Sequence, residues 1–194
     1  MTEAGRRMRL SALGAVLVVG GCASAPRHIA GAVVSRWSAE SAAAGRRLLD
    51  EYGTPDDATW NRLTWDHRGG WKRTIVWNSS GFWGRARIDS ESGELAVIEQ
   101  TVDYPLTFEQ SVALQRFSGD LVVDAARGEL SSRAGSEELD RLTLNLADEI
   151  ARGAATVRQA RETYVRVVET TAAGKSSPYT AGLLFAAGDE KRGR

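Results

Sequence analysis

Cysteine is nearly absent from this chain: Cys22 is the only one in 194 residues. A single thiol excludes an internal disulfide, so the fold must hold by its core. Histidine is as scarce, with His28 and His67 alone. Two distant histidines and one cysteine do not supply a zinc cage. Charge of one sign is also missing, with 25 basic and 25 acidic side chains. That balance gives no bulk attraction to nucleic acid. The sequence has no Gly-x-Ser-x-Gly and no Ser-x-x-Lys, so no nucleophile motif is visible. Asp56-Asp57 lacks calcium-loop spacing. Gly174-Lys175-Ser176 lacks the phosphate-loop glycine, because position 169 is Glu169. The longest apolar run, residues 10–19, is too short for a comfortable membrane span.

What is present begins at the amino terminus. Arg6, Arg7 and Arg9 precede that apolar run, the pattern of a secretory signal. The run ends Val19-Gly20-Gly21-Cys22. An aliphatic residue, two small residues and cysteine resemble the lipobox of bacterial lipoproteins. The resemblance implies cleavage before Cys22 and a lipid on its thiol. Each buried methylene contributes roughly 0.8 kcal/mol, so two or three acyl chains anchor firmly. Residue 23 is Ala and not Asp. By the same resemblance this favours an outer-membrane, periplasm-facing address in a two-membrane cell.

Residues 1–21 are therefore expected to be a signal peptide and 22–36 a tether. Residues 37–182 are expected to form one domain, and 183–194 a flexible tail. Ser38 is a plausible N-cap for a first helix, with Gly53 as its stop. Residues 59–65, 71–78 and 95–104 read as three strands. Trp71, Ile75 and Trp77 share one strand face, and Ile98, Val102 and Tyr104 another. Thr107 with Gln110 forms a capping box opening a short helix that carries Phe108, Val112 and Phe117. Residues 121–124 and 130–133 read as a small separate hairpin. Two longer helices follow, one capped by Ser136 and one by Thr156 with Gln159. Glu137 and Arg141, Asp148 and Arg152, and Glu162 and Arg166 are each spaced for pairing along a solvated helix face. The expected fold is α+β: an N-terminal helix, a small antiparallel three-stranded sheet and a C-terminal helical segment packed on it.

Tryptophan is unevenly distributed, with all six between residues 37 and 83. Indoles bury much apolar area, and they also serve as platforms and interface anchors. Trp60 lies out of phase with Trp65, and Phe82-Trp83 sits in a Gly- and Ser-rich loop. Phe82, Trp83 and Trp60 are the candidate contacts for a ligand or partner.

The lipobox, the helix ending in Gly53-Thr54-Pro55-Asp56 and the following sheet resemble small outer-membrane lipoproteins of the SmpA/OmlA type over residues 40–104. That family assists β-barrel assembly and has two helices on a three-stranded sheet. The chain departs from it by a long loop before the third strand and about ninety further residues. No binding residue of that family is carried over. Stretches such as Trp71-Lys72-Arg73-Thr74-Ile75-Val76-Trp77, Glu99-Gln100-Thr101-Val102-Asp103-Tyr104 and Ser177-Pro178-Tyr179-Thr180 are similar to a group of uncharacterised bacterial envelope lipoproteins. That resemblance brings no activity. The expected function is a non-enzymatic module, anchored to the membrane by lipid, that binds another envelope protein. No catalytic, cofactor or metal residue is assigned, and no cofactor. The second reading is a glycan or peptidoglycan binder using exposed tryptophans, and the third an envelope enzyme.

Overall fold

The computed structural model describes residues 27–79, 87–88 and 95–187. Cys22, Phe82 and Trp83 lie outside the described residues.

Helix starts follow the local sequence. Ser38 caps α2 (Ala39–Tyr52), its hydroxyl accepting from the Ser41 amide. Capping boxes open α3 (Phe108–Gln115), through Thr107 and Gln110, and α5 (Val157–Ala172), through Thr156 and Gln159. Ser136 caps α4 (Glu137–Ala151). In each case a side-chain oxygen satisfies an amide that the helix cannot. Gly53, Gly153 and Gly174 follow three of these helices with positive φ.

Two further helices fall outside the expected elements, although Ser177 caps the second and Pro178 opens it. α1 (Arg27–Val34) occupies the stretch expected as a tether, and it buries Ala30 and Val34. α6 (Pro178–Ala181) lies on α4, where the buried Asn145 amide donates to the carbonyls of Tyr179 and Gly182. The amide of Leu184 donates back to Asn145 Oδ1 at 2.7 Å. Leu183, Phe185 and Ala187 pack on the core as a result. The chain expected as a tail from 183 is thus held at least to residue 187.

The expected three-stranded sheet is corrected. The strands are β1 (Asp57–Thr59), β2 (Arg62–Arg68), β3 (Trp71–Trp77), β4 (Arg87–Ile88), β5 (Leu95–Ala96), β6 (Ile98–Asp103), β7 (Leu121–Asp124) and β8 (Glu129–Ser132). Six of them form one antiparallel sheet in the order β1-β2-β3-β6-β8-β7, while β4 and β5 make a two-stranded ribbon. The class is α+β, with six helices among the described residues. The hairpin read as separate extends the sheet, because β8 pairs with β6 through Gln100↔Ser132 and Val102↔Leu130. The first expected strand divides at Trp60-Asn61 into β1 and β2.

The β2–β3 hairpin turns on Gly69 and Gly70, both with positive φ (61° and 85°). A two-residue turn of this kind matches the right-handed strand twist. A Cβ added at Gly69 would meet the Tyr52 hydroxyl oxygen at 2.6 Å. Gly69→Ala therefore combines a left-handed backbone with a clash against α2. It is expected to cost at least about 1–2 kcal/mol, read as a lowered urea midpoint; an unchanged midpoint would contradict this account of the turn.

One sheet face carries the apolar core. Leu63, Val76 and Ile98 lie in register across β2, β3 and β6, under Leu48 and Leu49 of α2 and Val34 of α1. Val102, Leu130 and Leu121 continue the same face toward β7, under Leu114 of α3 and Leu142 and Leu146 of α4. Each such side chain contributes roughly 1.5–3 kcal/mol on burial. α4 is buried on nearly every side, since α5 and α6 pack on it as well. Phe108 is 78% exposed at the first turn of α3, while Leu114 and Phe117 face the core.

Candidate functional site

The strand register puts a second, polar set of side chains on the opposite sheet face. Arg73↔Thr101 and Ile75↔Glu99 pair across β3 and β6, and Thr101↔Ser131 and Asp103↔Glu129 across β6 and β8. β6 is central and buried on both faces, so its sequence does not alternate simply between apolar and solvated.

These groups form two connected ion-pair clusters. In the first, the Glu99 and Arg133 side chains are each 8% exposed and meet at 2.7 Å. Trp77 Nε1 donates to the same Glu99 oxygen at 3.2 Å, and the Arg62 guanidinium lies 5.9 Å from the Trp77 ring centre. In the second, Arg73 reaches Glu129 at 2.5 Å, and Lys72 bridges Glu129 and Asp103. Burial works against the Glu129 charge, but hydrogen bonds from Arg73 and Lys72 outweigh it and hold the carboxyl below the usual range. Lys72 is held above its ordinary range, first by its hydrogen bond to Asp103 and then by Glu129, against burial. Thr101 and Ser131 share a hydrogen bond of 2.9 Å beside these clusters.

A cavity of about 230 Å³ opens next to Lys72, lined by His67, Gly70, Trp71, Lys72, Asp103 and Ala187. This is below the ordinary range for small-molecule sites. Its cation is already shared between two carboxylates. His67 is exposed and holds a positive φ of 53°. Trp71 Nε1 donates to Glu137, and Arg141 covers the Trp71 ring at 5.9 Å, so the indole is fixed by α4. The cavity offers a polar niche bordered by a neutralised ion pair.

Asp140 is the most perturbed acid. It is fully buried in the first turn of α4, and burial pushes its pKa up to about 8. Its Oδ1 accepts from the Ala134 amide at 2.8 Å. The Ser132 hydroxyl adjoins the carboxyl without closing a full hydrogen bond. Perturbed acids cluster at functional sites, but Asp140 does not line the cavity. Tyr104, also held above its ordinary range by burial and by its bond to Asp148, anchors β6 to α4.

Of the sequence-derived candidates, Trp60 is described and is 66% exposed in the β1–β2 turn. Trp37 Nε1 donates to the Trp60 carbonyl at 2.8 Å, which fixes the turn while leaving the indole outward. Two of the expected helix ion pairs form, Glu137–Arg141 and Asp148–Arg152. Neither lies on a fully solvated face, since Glu137 and Asp148 are largely buried. Glu162 pairs with Arg158 rather than Arg166. The Glu99–Arg133 and Glu129–Arg73 pairs were not legible, because their partners lie 34 and 56 positions apart.

Among the described residues no group of three or more potential ligands is placed to hold a metal, and no helix is long and apolar enough to cross a membrane. The fold and this face define an α+β domain with helices against one side of its sheet and ion-paired side chains on the other. No protein-family model, curated protein or solved structure matches the chain.

Proposed function

We propose that this chain is a lipid-anchored domain of a bacterial envelope that binds another protein at the membrane surface. One observation carries the reading. Cys22, the only cysteine, stands at the end of a lipobox-like run and five positions before Arg27, where α1 begins. A lipid at Cys22 thus leaves almost no slack between bilayer and fold. The tether is still shorter than the sequence implied, since α1 takes up eight of its residues.

This reading does not require an apolar partner site. Among the described residues the large exposed apolar side chains are Ile29, Trp60, Phe108, Val165 and Leu184, spread over five different segments. Non-obligate protein interfaces are on the whole no more apolar than the rest of a protein surface. These residues do not form one large apolar patch.

The test compares native protein with Cys22→Ala by intact mass and membrane fractionation, followed by crosslinking in the envelope. The native chain is expected to lack residues 1–21, to carry acyl mass and to sediment with membrane. The variant is expected to leave the membrane fraction. Unmodified, soluble protein in both cases would overturn the reading.

A further inference from the structure

We infer that the edge of the domain formed by α1 and β1 lies on the phospholipid surface, with the Trp60 indole seated among the lipid headgroups. The inference deepens the function proposed above and rests on it for the anchor at Cys22. The occupant of this edge follows from three observations.

The first is reach. Five residues, Cys22 to Pro26, precede Arg27. Fully extended, they span at most about 18 Å, at roughly 3.3–3.6 Å per residue. A domain of this size has a radius of gyration of about 15 Å. The anchor is therefore shorter than the width of the domain, and the start of α1 cannot turn away from the bilayer. α1 is itself only about 12 Å long.

The second is what this edge exposes. α1 packs along β1, the outermost strand at one end of the sheet. Ala30 and Val34 face inward, whereas Ile29 is 45% exposed. Trp60 follows β1 directly and is tied to the end of α1 through Trp37. The half-buried Thr59 hydroxyl donates to Asn61, so the turn is braced from within. An indole with its backbone fixed and its ring outward is poorly placed in water. Such rings favour the headgroup level of a bilayer, apolar body toward the acyl chains and N–H toward water.

The third is charge. From residue 23 to residue 39 the chain carries Arg27, His28 and Arg36 and no acidic side chain, and the exposed Asp57 carboxylate of β1 is paired with Arg62. Basic segments at a membrane surface are attracted to anionic lipid by about 1 kcal/mol per Lys or Arg. The ordering matters for function: with α1 and β1 on the lipid, the opposite end of the sheet, β7, points away from the membrane and toward a partner.

The test uses the mature chain from Cys22, coupled through that unique thiol to maleimide-headgroup lipid. The vesicles contain phosphatidylethanolamine and phosphatidylglycerol, with or without acyl chains brominated near the headgroup. Bromine quenches tryptophan on contact. Trp60 is one of six tryptophans, so native emission is expected to fall by up to about one sixth on brominated vesicles. Trp60→Ala should abolish the fall, and Ile29→Glu, which leaves every tryptophan in place, should reduce it. Phe108→Ala, on the α3 side of the sheet, should leave it unchanged. Thermal melts in solution check that each variant folds. Absence of a fall, or a fall that persists in Trp60→Ala, overturns the orientation. Because coupling supplies the anchor chemically, that result leaves the lipoprotein reading standing, whereas native protein without acyl mass removes that reading alone.

Discussion

Arg133→Ala is expected to destabilise the domain by about 3–5 kcal/mol, the cost of breaking a buried ion pair from one side. The arginine and Glu99 are both nearly inaccessible, and their contact is 2.7 Å. Removing the guanidinium leaves the Glu99 carboxylate buried with the Trp77 indole N–H as its remaining donor from the first cluster. The alternative outcome is informative. If the variant loses less than about 1 kcal/mol in urea titration, this sheet face is effectively solvated. The pair also makes a second, opposite expectation. Glu99→Leu with Arg133→Met replaces both charges by apolar groups of similar size. That double variant is expected to recover most of the loss, since buried pairs often add little over a well-packed apolar substitute. Failure to recover would mean that the ion pair also holds β6 and β8 in register.

Asp140→Asn is expected to change how stability depends on pH. Burial raises the Asp140 pKa to about 8 from an ordinary 3.8. Between those values the folded protein holds a proton that the unfolded chain has released. The stability from this group is fully present below about pH 4 and is lost as pH rises toward 8. The slope is at most about 1.4 kcal/mol per pH unit, and a few kcal/mol over the whole window. Glu129 acts in the opposite direction, because its folded pKa is lowered and its contribution appears as pH rises. The useful quantity is therefore the difference between variant and native protein. Asparagine has no proton to lose, and its carbonyl can still accept from the Ala134 amide. The variant's advantage should grow from pH 4.5 to pH 8 in paired denaturation curves. A difference that stays flat over that range would show that Asp140 ionises in the folded state as it does in the unfolded chain.

Both effects arise from ionisable groups buried in a protein without disulfide support, and neither is on the surface that the proposed function uses. The membrane-facing edge is built from exposed groups, Trp60 and Ile29, whose removal should leave folding intact. The separation makes the functional variants interpretable. Changes at Arg133 or Asp140 report on the scaffold, and changes at Cys22 or Trp60 report on address and orientation.

Features that depend on neighbours within a few positions can be read from the amino-acid order alone. The caps at Ser38, Thr107, Ser136 and Thr156 are made by side chains reaching three residues along the chain, so their spacing is sufficient. The α+β class followed from the change of hydrophobic period between residues 71–78 and residues 136–150. Tertiary structure alone decided the width of the sheet, since β8 reaches β6 only after α3 and β7 have intervened. It also decided which phenylalanine is outside: Phe108 begins its helix on the solvent side, while Leu114 and Phe117 meet α4 and β7. α1 became a helix where the pattern suggested a tether, because Ala30 and Val34 gain a surface to cover only once α2 and β1 are in place. Glu99 and Arg133 are buried against each other only by the non-local pairing of β6 with β8. The physical reason is the same in each case. Local hydrogen bonds are specified by short separations, whereas burial is a property of the assembled layers and of the distant residues they bring together.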